Sequence, residues 1–164
     1  MEKKTAYFAG GCFWCITPTF KETDGVFDVC CGYSGGNEEN PTYEQVKHQE
    51  TGHRETICVT YDAGKVSYGE LLELFLSGVD PFDGEGQFID RGHSYTLAVY
   101  TQSEEESATA KEKIAALEQE SGKKVFVAVE AFQSFYEAEE MHQNYYLKNP
   151  EAFQKELLES GRIS

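Results

Sequence analysis

Apolar and polar positions along this chain fall into two periods. Runs of β-branched and aromatic residues in partial alternation predict strands at residues 5–9, 26–32, 55–61, 95–100 and 125–130. Three other stretches carry the helical period. The first covers residues 13–21, with Pro18 leaving its length open. The second begins at Ser67, where Glu70 completes a capping-box pattern ahead of Leu71, Leu72, Leu74 and Phe75. The third begins at Ser103, with Glu106 in the same relation. Its apolar stripe is Ala110, Ile114 and Leu117, and Gly122 ends it.

The order is β-α-β, a loop, β-α, a second loop, then β-α-β and an irregular tail. That order predicts an α+β fold: a two-layer sandwich with a mixed β-sheet covered by helices, a ferredoxin-like core and long irregular loops. The loops at 33–54 and 78–94 exceed the roughly 12 to 15 residues beyond which a connection in a compact domain tends to be functional. Their Gly, Asp, His, Tyr and Phe do not make a disordered composition. At 164 residues the chain fits a single domain, 1–164, able to bury a core without cross-links.

Composition narrows the partners. Fourteen basic against twenty-nine acidic residues give a formal charge of −15, which repels nucleic acid and anionic membranes. No run approaches the roughly 18 to 20 apolar residues of a membrane span, and the first residues do not resemble a signal peptide. Five cysteines is an odd count, so the reading is reduced thiols in a cytoplasmic protein and not a disulfide scaffold.

The candidate chemistry centres on Gly10-Gly11-Cys12-Phe13-Trp14-Cys15. A glycine turn between a strand and a helix places Cys12 at a helix N-terminus. There the free N–H groups and the dipole favour a thiolate, so the pattern predicts a lowered thiol pKa. Cys12 and Cys15 form a CxxC, compatible with a redox pair or half a zinc site. Cys30 and Cys31 are strand neighbours pointing to opposite faces and cannot complete that zinc site, so no metal is expected. They and Cys58 read as small buried apolar residues. Glu55 opens a strand whose Ile57 and Val59 share its face, which predicts a raised carboxyl pKa and a general acid; pairing with Arg54 or a lysine is the ordinary alternative. Tyr43, Tyr95, Asp90 and His142 lie in loops or at element edges and could serve a site or simply pack. Nucleotide-binding and calcium-loop patterns are absent.

Seven segments in register then resemble one family. They are Gly11-Cys12-Phe13-Trp14, Gly32-Tyr33-Ser34-Gly35-Gly36, Asn40-Pro41-Thr42-Tyr43, Thr51-Gly52-His53-Arg54-Glu55, Asp90-Arg91-Gly92-His93-Ser94-Tyr95, Phe135-Tyr136, and His142-Gln143 running to Lys148-Asn149-Pro150. Together they resemble the A-type peptide methionine sulfoxide reductases across nearly the whole chain. The resemblance implies Cys12 as the nucleophile and Glu55 as the acid that protonates the sulfoxide oxygen. It implies Tyr43 and Tyr95 as phenols bonding that oxygen, and Phe13 and Trp14 as walls for the substrate methyl group. Asp90 and His142 fall nearby on the substrate-binding side.

The implied activity is reduction of methionine S-sulfoxide, in proteins or as the free amino acid, as repair after oxidative damage. It would pass through a Cys12 sulfenic acid and a disulfide. No bound cofactor is implied. Electrons would come from thioredoxin or another dithiol, partners would be oxidised proteins or peptides, and the enzyme would act as a monomeric single catalytic domain. Many relatives hold resolving cysteines in a C-terminal tail, but here none follows Cys58. Cys15 is the natural substitute, with Cys30, Cys31 or an outside thiol as alternatives. A general dithiol oxidoreductase and a non-enzymatic thiol sensor or zinc module remain the other classes to test.

Overall fold

Every strand and helix expected from periodicity occurs in the computed structural model, which describes residues 2–160. Met1 and residues 161–164, the two ends of the expected unit 1–164, lie outside the described residues. The chain runs β1 (Lys3–Gly10), α1 (Phe13–Lys21), β2 (Val26–Ser34), α2 (Tyr43–Lys47), β3 (Arg54–Asp62), α3 (Tyr68–Ser77), β4 (Gly86–Gln87), β5 (Asp90–Arg91) and β6 (Leu97–Thr101). It continues as α4 (Glu104–Ser121), β7 (Val127–Ala131), β8 (Phe135–Glu137), α5 (Tyr145–Lys148) and α6 (Pro150–Ser160). Single 3-10 turns occupy His93–Tyr95 and Glu140–His142.

The architecture is α+β. Six strands form one mixed sheet in the order β7-β6-β1-β3-β2-β8, and β4 and β5 form a separate hairpin. Neighbours in the large sheet are antiparallel except β6 and β7, which are parallel. That parallel pair needs a crossover, and α4 supplies it. Ser103 caps α4 by accepting from the Glu106 amide at 3.1 Å, and Gly122 closes it in the left-handed region at φ 72°. Ser67 and Glu70 complete their capping box at the start of α3. Helix α1 runs through Pro18 to Lys21.

The two faces of the sheet are covered differently. On one, Phe8 of β1 stacks against Phe20 of α1 and Phe75 of α3, with ring centroids 5.5 and 5.2 Å apart. Fully burying such a side chain contributes roughly 1.5 to 3 kcal/mol. On the other, Tyr7 stacks on Phe132 at 4.2 Å and meets Phe135 at 5.5 Å, so a loop and β8 cover that side.

Three expectations need correction. Tyr95 lies in a 3-10 turn before β6 and not in a strand, because its amide bonds to Gly92 O at 3.0 Å and the Thr96 hydroxyl to His93 O at 2.7 Å. The 33–54 loop contains α2, started by a capping box between Thr42 and Gln45. The tail is regular and folds back. The Gln143 side chain accepts from Cys31 N at 2.9 Å and donates to Cys31 O at 2.9 Å and Ala138 O at 3.0 Å, extending the β2 edge by hand-like amide pairing. This returns His142 and Tyr145 to the start of α1, where both meet Trp14.

Candidate active site

Cys12 stands where β1 hands over to α1. Gly11 takes φ 85°, a turn that a side chain would resist, and Cys12 then occupies the N-cap position with extended backbone. A methyl group on Gly10 would meet Ile16, Phe75 and Val79 at 3.0 to 3.2 Å, so the turn is also pressed onto the core.

Glu55, the second residue of β3, reaches the same spot. It is 1% exposed, and its Oε1 accepts the Phe13 amide at 3.1 Å. The other oxygen, Oε2, is buried and meets no hydrogen-bond partner among the described residues, although the Tyr95 hydroxyl stands close enough to pull the pKa down. Burial dominates and lifts the carboxyl to about 8, with Asp90 and Cys15 adding to the rise and the Phe13 amide opposing it. Glu55 therefore holds a proton at neutral pH. It does not pair with Arg54, which points to the opposite face and bonds Glu130 at 2.9 Å.

The thiol departs from the expectation. A helix N-terminus would lower its pKa, yet Cys12 titrates well above a free cysteine. The hydrogen bond with Cys15 is the largest cause, followed by burial and then the negative charge of Cys15, Glu55 and Asp90. The N–H that could have favoured a thiolate, that of Phe13, is taken by Glu55. At rest Cys12 is a protonated thiol 5% exposed. The same contact puts Cys15 beside it, and the Cys15 amide bonds to Cys12 O at 3.1 Å.

The phenols converge as well. Tyr43 is the first residue of α2, fixed by its amide to Glu139 Oε2 at 3.1 Å, while Tyr33 donates to Glu139 Oε1 at 2.8 Å. Tyr95 hangs from its 3-10 turn, which Gln49 clamps by bonding Ser94 Oγ at 2.7 Å and the Ser94 amide at 3.0 Å. Gly92, at φ 114°, leaves room for that Gln49 side chain, which lies 2.7 Å from where a Cβ would stand. Burial first, and then the charge of Glu55, push both phenols far above their ordinary range, so they remain donors.

An aromatic box adjoins these groups. Phe13 is fully buried and Trp14 half-buried. The Trp14 indole donates to His142 Nδ1 at 3.2 Å and stacks on Tyr145 at 4.1 Å, 12° from parallel. The Tyr43 and His142 rings lie 4.3 Å apart. Burial lowers the His142 pKa, and accepting at Nδ1 leaves the proton on Nε2, which is buried with no partner among the described residues.

Asp90, on the β4–β5 hairpin, completes the cluster. The Cys12 sulfur and carboxylate oxygens of Asp90 and Glu156 lie within 4.8 Å of one another, close enough to share an ion, and they surround the reactive sulfur itself. The structure thus brings together Cys12, Cys15, Glu55, Tyr43, Tyr95, Phe13, Trp14, Asp90 and His142. Cys31 is buried beside Thr17 and pushed to about 12, chiefly by burial; Cys30 and Cys58 are cross-strand partners pointing to the opposite face from Cys31. Sequence reasoning missed Glu139 and Glu156 and gave no site role to Gln143 or Tyr145. All four come from the returning tail, and only its folded path reveals them.

The family profile described as peptide methionine sulfoxide reductase matches residues 4–162. Peptide methionine sulfoxide reductase MsrA 2 of Lactococcus lactis is 45% identical over 156 residues, covering 93% of this chain and 90% of that protein. Reduced Mxr1 from Saccharomyces cerevisiae superposes with a TM-score of 0.86 at 27% identity, over 92% of this chain and 87% of that one. Mxr1 in complex with Trx2 matches with a TM-score of 0.59 at 16% identity, over 88% and 85% of the two chains, a likeness of fold.

Proposed function

The chain belongs to the peptide methionine sulfoxide reductase family, and on that premise we propose that it reduces methionine S-sulfoxide to methionine with Cys12 as nucleophile and Glu55 as acid. The observation that carries the assignment is the meeting of these two groups. The carboxyl is anchored through Oε1 to the amide next to Cys12 and protonated near pH 7, and its buried Oε2 meets no hydrogen-bond partner among the described residues.

A sulfoxide is a poor electrophile until its oxygen gains a proton or strong hydrogen bonds. Glu55 supplies the proton while the Tyr43 and Tyr95 hydroxyls donate to the same oxygen. As the Cys12 sulfur bonds the substrate sulfur, its proton returns to the Glu55 carboxylate. The hydroxyl then passes from the substrate sulfur to the Cys12 sulfur as the bond between the two sulfurs breaks; methionine leaves with that electron pair, and Cys12 is left as a sulfenic acid, oxidised by two electrons. Phe13 and Trp14 hold the methyl group, with His142 and Asp90 bordering the substrate. The Cys15 thiol next attacks the sulfenic sulfur, water departs, and a Cys12–Cys15 disulfide forms. Its contact with Cys12 favours Cys15 over Cys30, Cys31 and Cys58.

A thioredoxin-type dithiol completes the cycle by exchange, in keeping with the yeast relative solved with Trx2. Substrates are oxidised proteins, peptides and the free amino acid, so the role is repair. We read the chain as one catalytic unit acting as a monomer in a reducing cytoplasm; no helix of the described residues is long and apolar enough to cross a membrane. We also read β1-α1-β2-β3-α3-β6, with its sheet order β6-β1-β3-β2, as a ferredoxin-like two-layer core. The test is turnover of both epimers of a methionine sulfoxide peptide with dithiothreitol. Reduction confined to the S epimer is expected, and none at all would end the reading.

A further inference from the structure

Arg54 precedes the acid in β3 and points to the other side of the sheet, since neighbours on a strand face opposite ways. It is 8% exposed. Its Nε donates to Thr96 Oγ1 at 2.8 Å, and its Nη1 donates to Tyr100 Oη at 3.1 Å and to Glu130 Oε2 at 2.9 Å. Tyr100 passes the chain of bonds on to Ser34 O at 3.2 Å, and Ser34 is the residue paired with Arg54 across β2 and β3. One guanidinium therefore ties the start of β3 to β6, to β7 and to the residue after Tyr95.

The Thr96 bond matters most. Thr96 Oγ1 donates to His93 O at 2.7 Å, and the Thr96 amide bonds the same oxygen at 3.1 Å, closing the 3-10 turn that carries Tyr95. Arg54 grips that turn at its last hinge, while its backbone continues directly into Glu55. Two of the three groups assigned to the sulfoxide oxygen, Glu55 and Tyr95, arrive from separate parts of the chain, and this bond joins their supports. A guanidinium offers several donors in a fixed planar fork, so it sets distances that a lysine could not.

We propose that Arg54 is a positioning residue that fixes the spacing between the Glu55 carboxyl and the Tyr95 hydroxyl. The inference rests on the reading of Glu55 and Tyr95 given above. Burial of a charge for stability alone would be a poor explanation, because an apolar side chain of similar volume commonly serves as well. A misplaced acid or phenol costs rate more than affinity, because both act on the oxygen as it takes up charge.

The experiment compares wild type with Arg54→Lys, Arg54→Met and Thr96→Val, measuring kcat and KM for the S-sulfoxide peptide from pH 6 to 9.5 beside thermal unfolding. In Arg54→Lys and Thr96→Val, kcat should fall roughly tenfold with KM changed less than about twofold. The loss of rate above pH 8 should also shift to lower pH as water reaches Glu55. A purely structural role would lower the melting temperature and leave kcat per folded molecule and the pH limb where they are; that result overturns the proposal. Should Arg54→Met fail to fold, Arg54→Lys, which keeps the buried charge and removes the planar fork, decides the matter. Absence of turnover in wild type would instead sink the activity reading, so the two failures are distinguishable.

Discussion

The amide of Phe13 donates to Oε1 of Glu55 at 3.1 Å, joining residues 42 positions apart in the chain. This bond uses up the first free N–H of α1 and seats the carboxyl beside Cys12. It explains two properties together. The thiol loses the helix terminus that would have acidified it, and the acid is held with one oxygen committed and one directed elsewhere.

Replacing Glu55 by glutamine keeps an acceptor for the Phe13 amide and removes only the proton. Turnover of the S-sulfoxide should fall by about 10²- to 10⁴-fold. A dithiol oxidoreductase using only Cys12 and Cys15 would lose little, so methionine release with dithiothreitol separates the two classes.

The raised carboxyl also makes stability depend on pH. Protonated Glu55 suits the folded state, so its contribution is full below the unfolded value near 4.5 and is lost as pH rises through about 8. The loss is on the order of several kcal/mol for a group this buried. Glu55→Gln should therefore melt higher than wild type at pH 9, with the gap shrinking toward pH 5. Thermal denaturation across that range checks the sign.

Cys12 should be slow to alkylate in the resting enzyme, because its pKa is raised by Cys15, burial and neighbouring carboxyls. Modification by iodoacetamide, followed by mass spectrometry, should increase with pH through 9 and beyond. Fast modification at pH 7 would return the helix terminus to the leading influence.

Cys15→Ser should still release about one equivalent of methionine per chain in a single turnover, leaving a sulfenic acid that dimedone captures. Cycling with thioredoxin should drop. Unchanged cycling would assign the second thiol elsewhere.

Trp14 is the single tryptophan of the chain, so its fluorescence reports one place. Sulfoxide binding should change that emission by disturbing the Tyr145 stack and the His142 bond. Trp14→Ala should raise KM roughly tenfold with a smaller effect on kcat, since it removes a wall and not a reacting group.

Local signals in the sequence reached far. The Ser67–Glu70 and Ser103–Glu106 patterns start α3 and α4, and Gly122 ends α4, because caps involve neighbours in the chain. Period-two spacing put Glu55 on the face of Ile57 and Val59, and burial then raised its pKa in the direction that pattern implies. The Thr42–Gln45 box is equally local, but the loop-like composition around it hides the short helix it starts. What stayed illegible depends on distant segments meeting. The Cys12 pKa turned on which group claimed the Phe13 amide. The regular path of the tail turned on the amide of Gln143 bonding Cys31, 112 residues away.

Helix α6 carries Glu156 to within 4.8 Å of the Cys12 sulfur, yet none of its side chains at 150–159 is fully buried. A guest approaching the Cys12 sulfur therefore meets two carboxylates, those of Asp90 and Glu156, brought there from distant parts of the sequence.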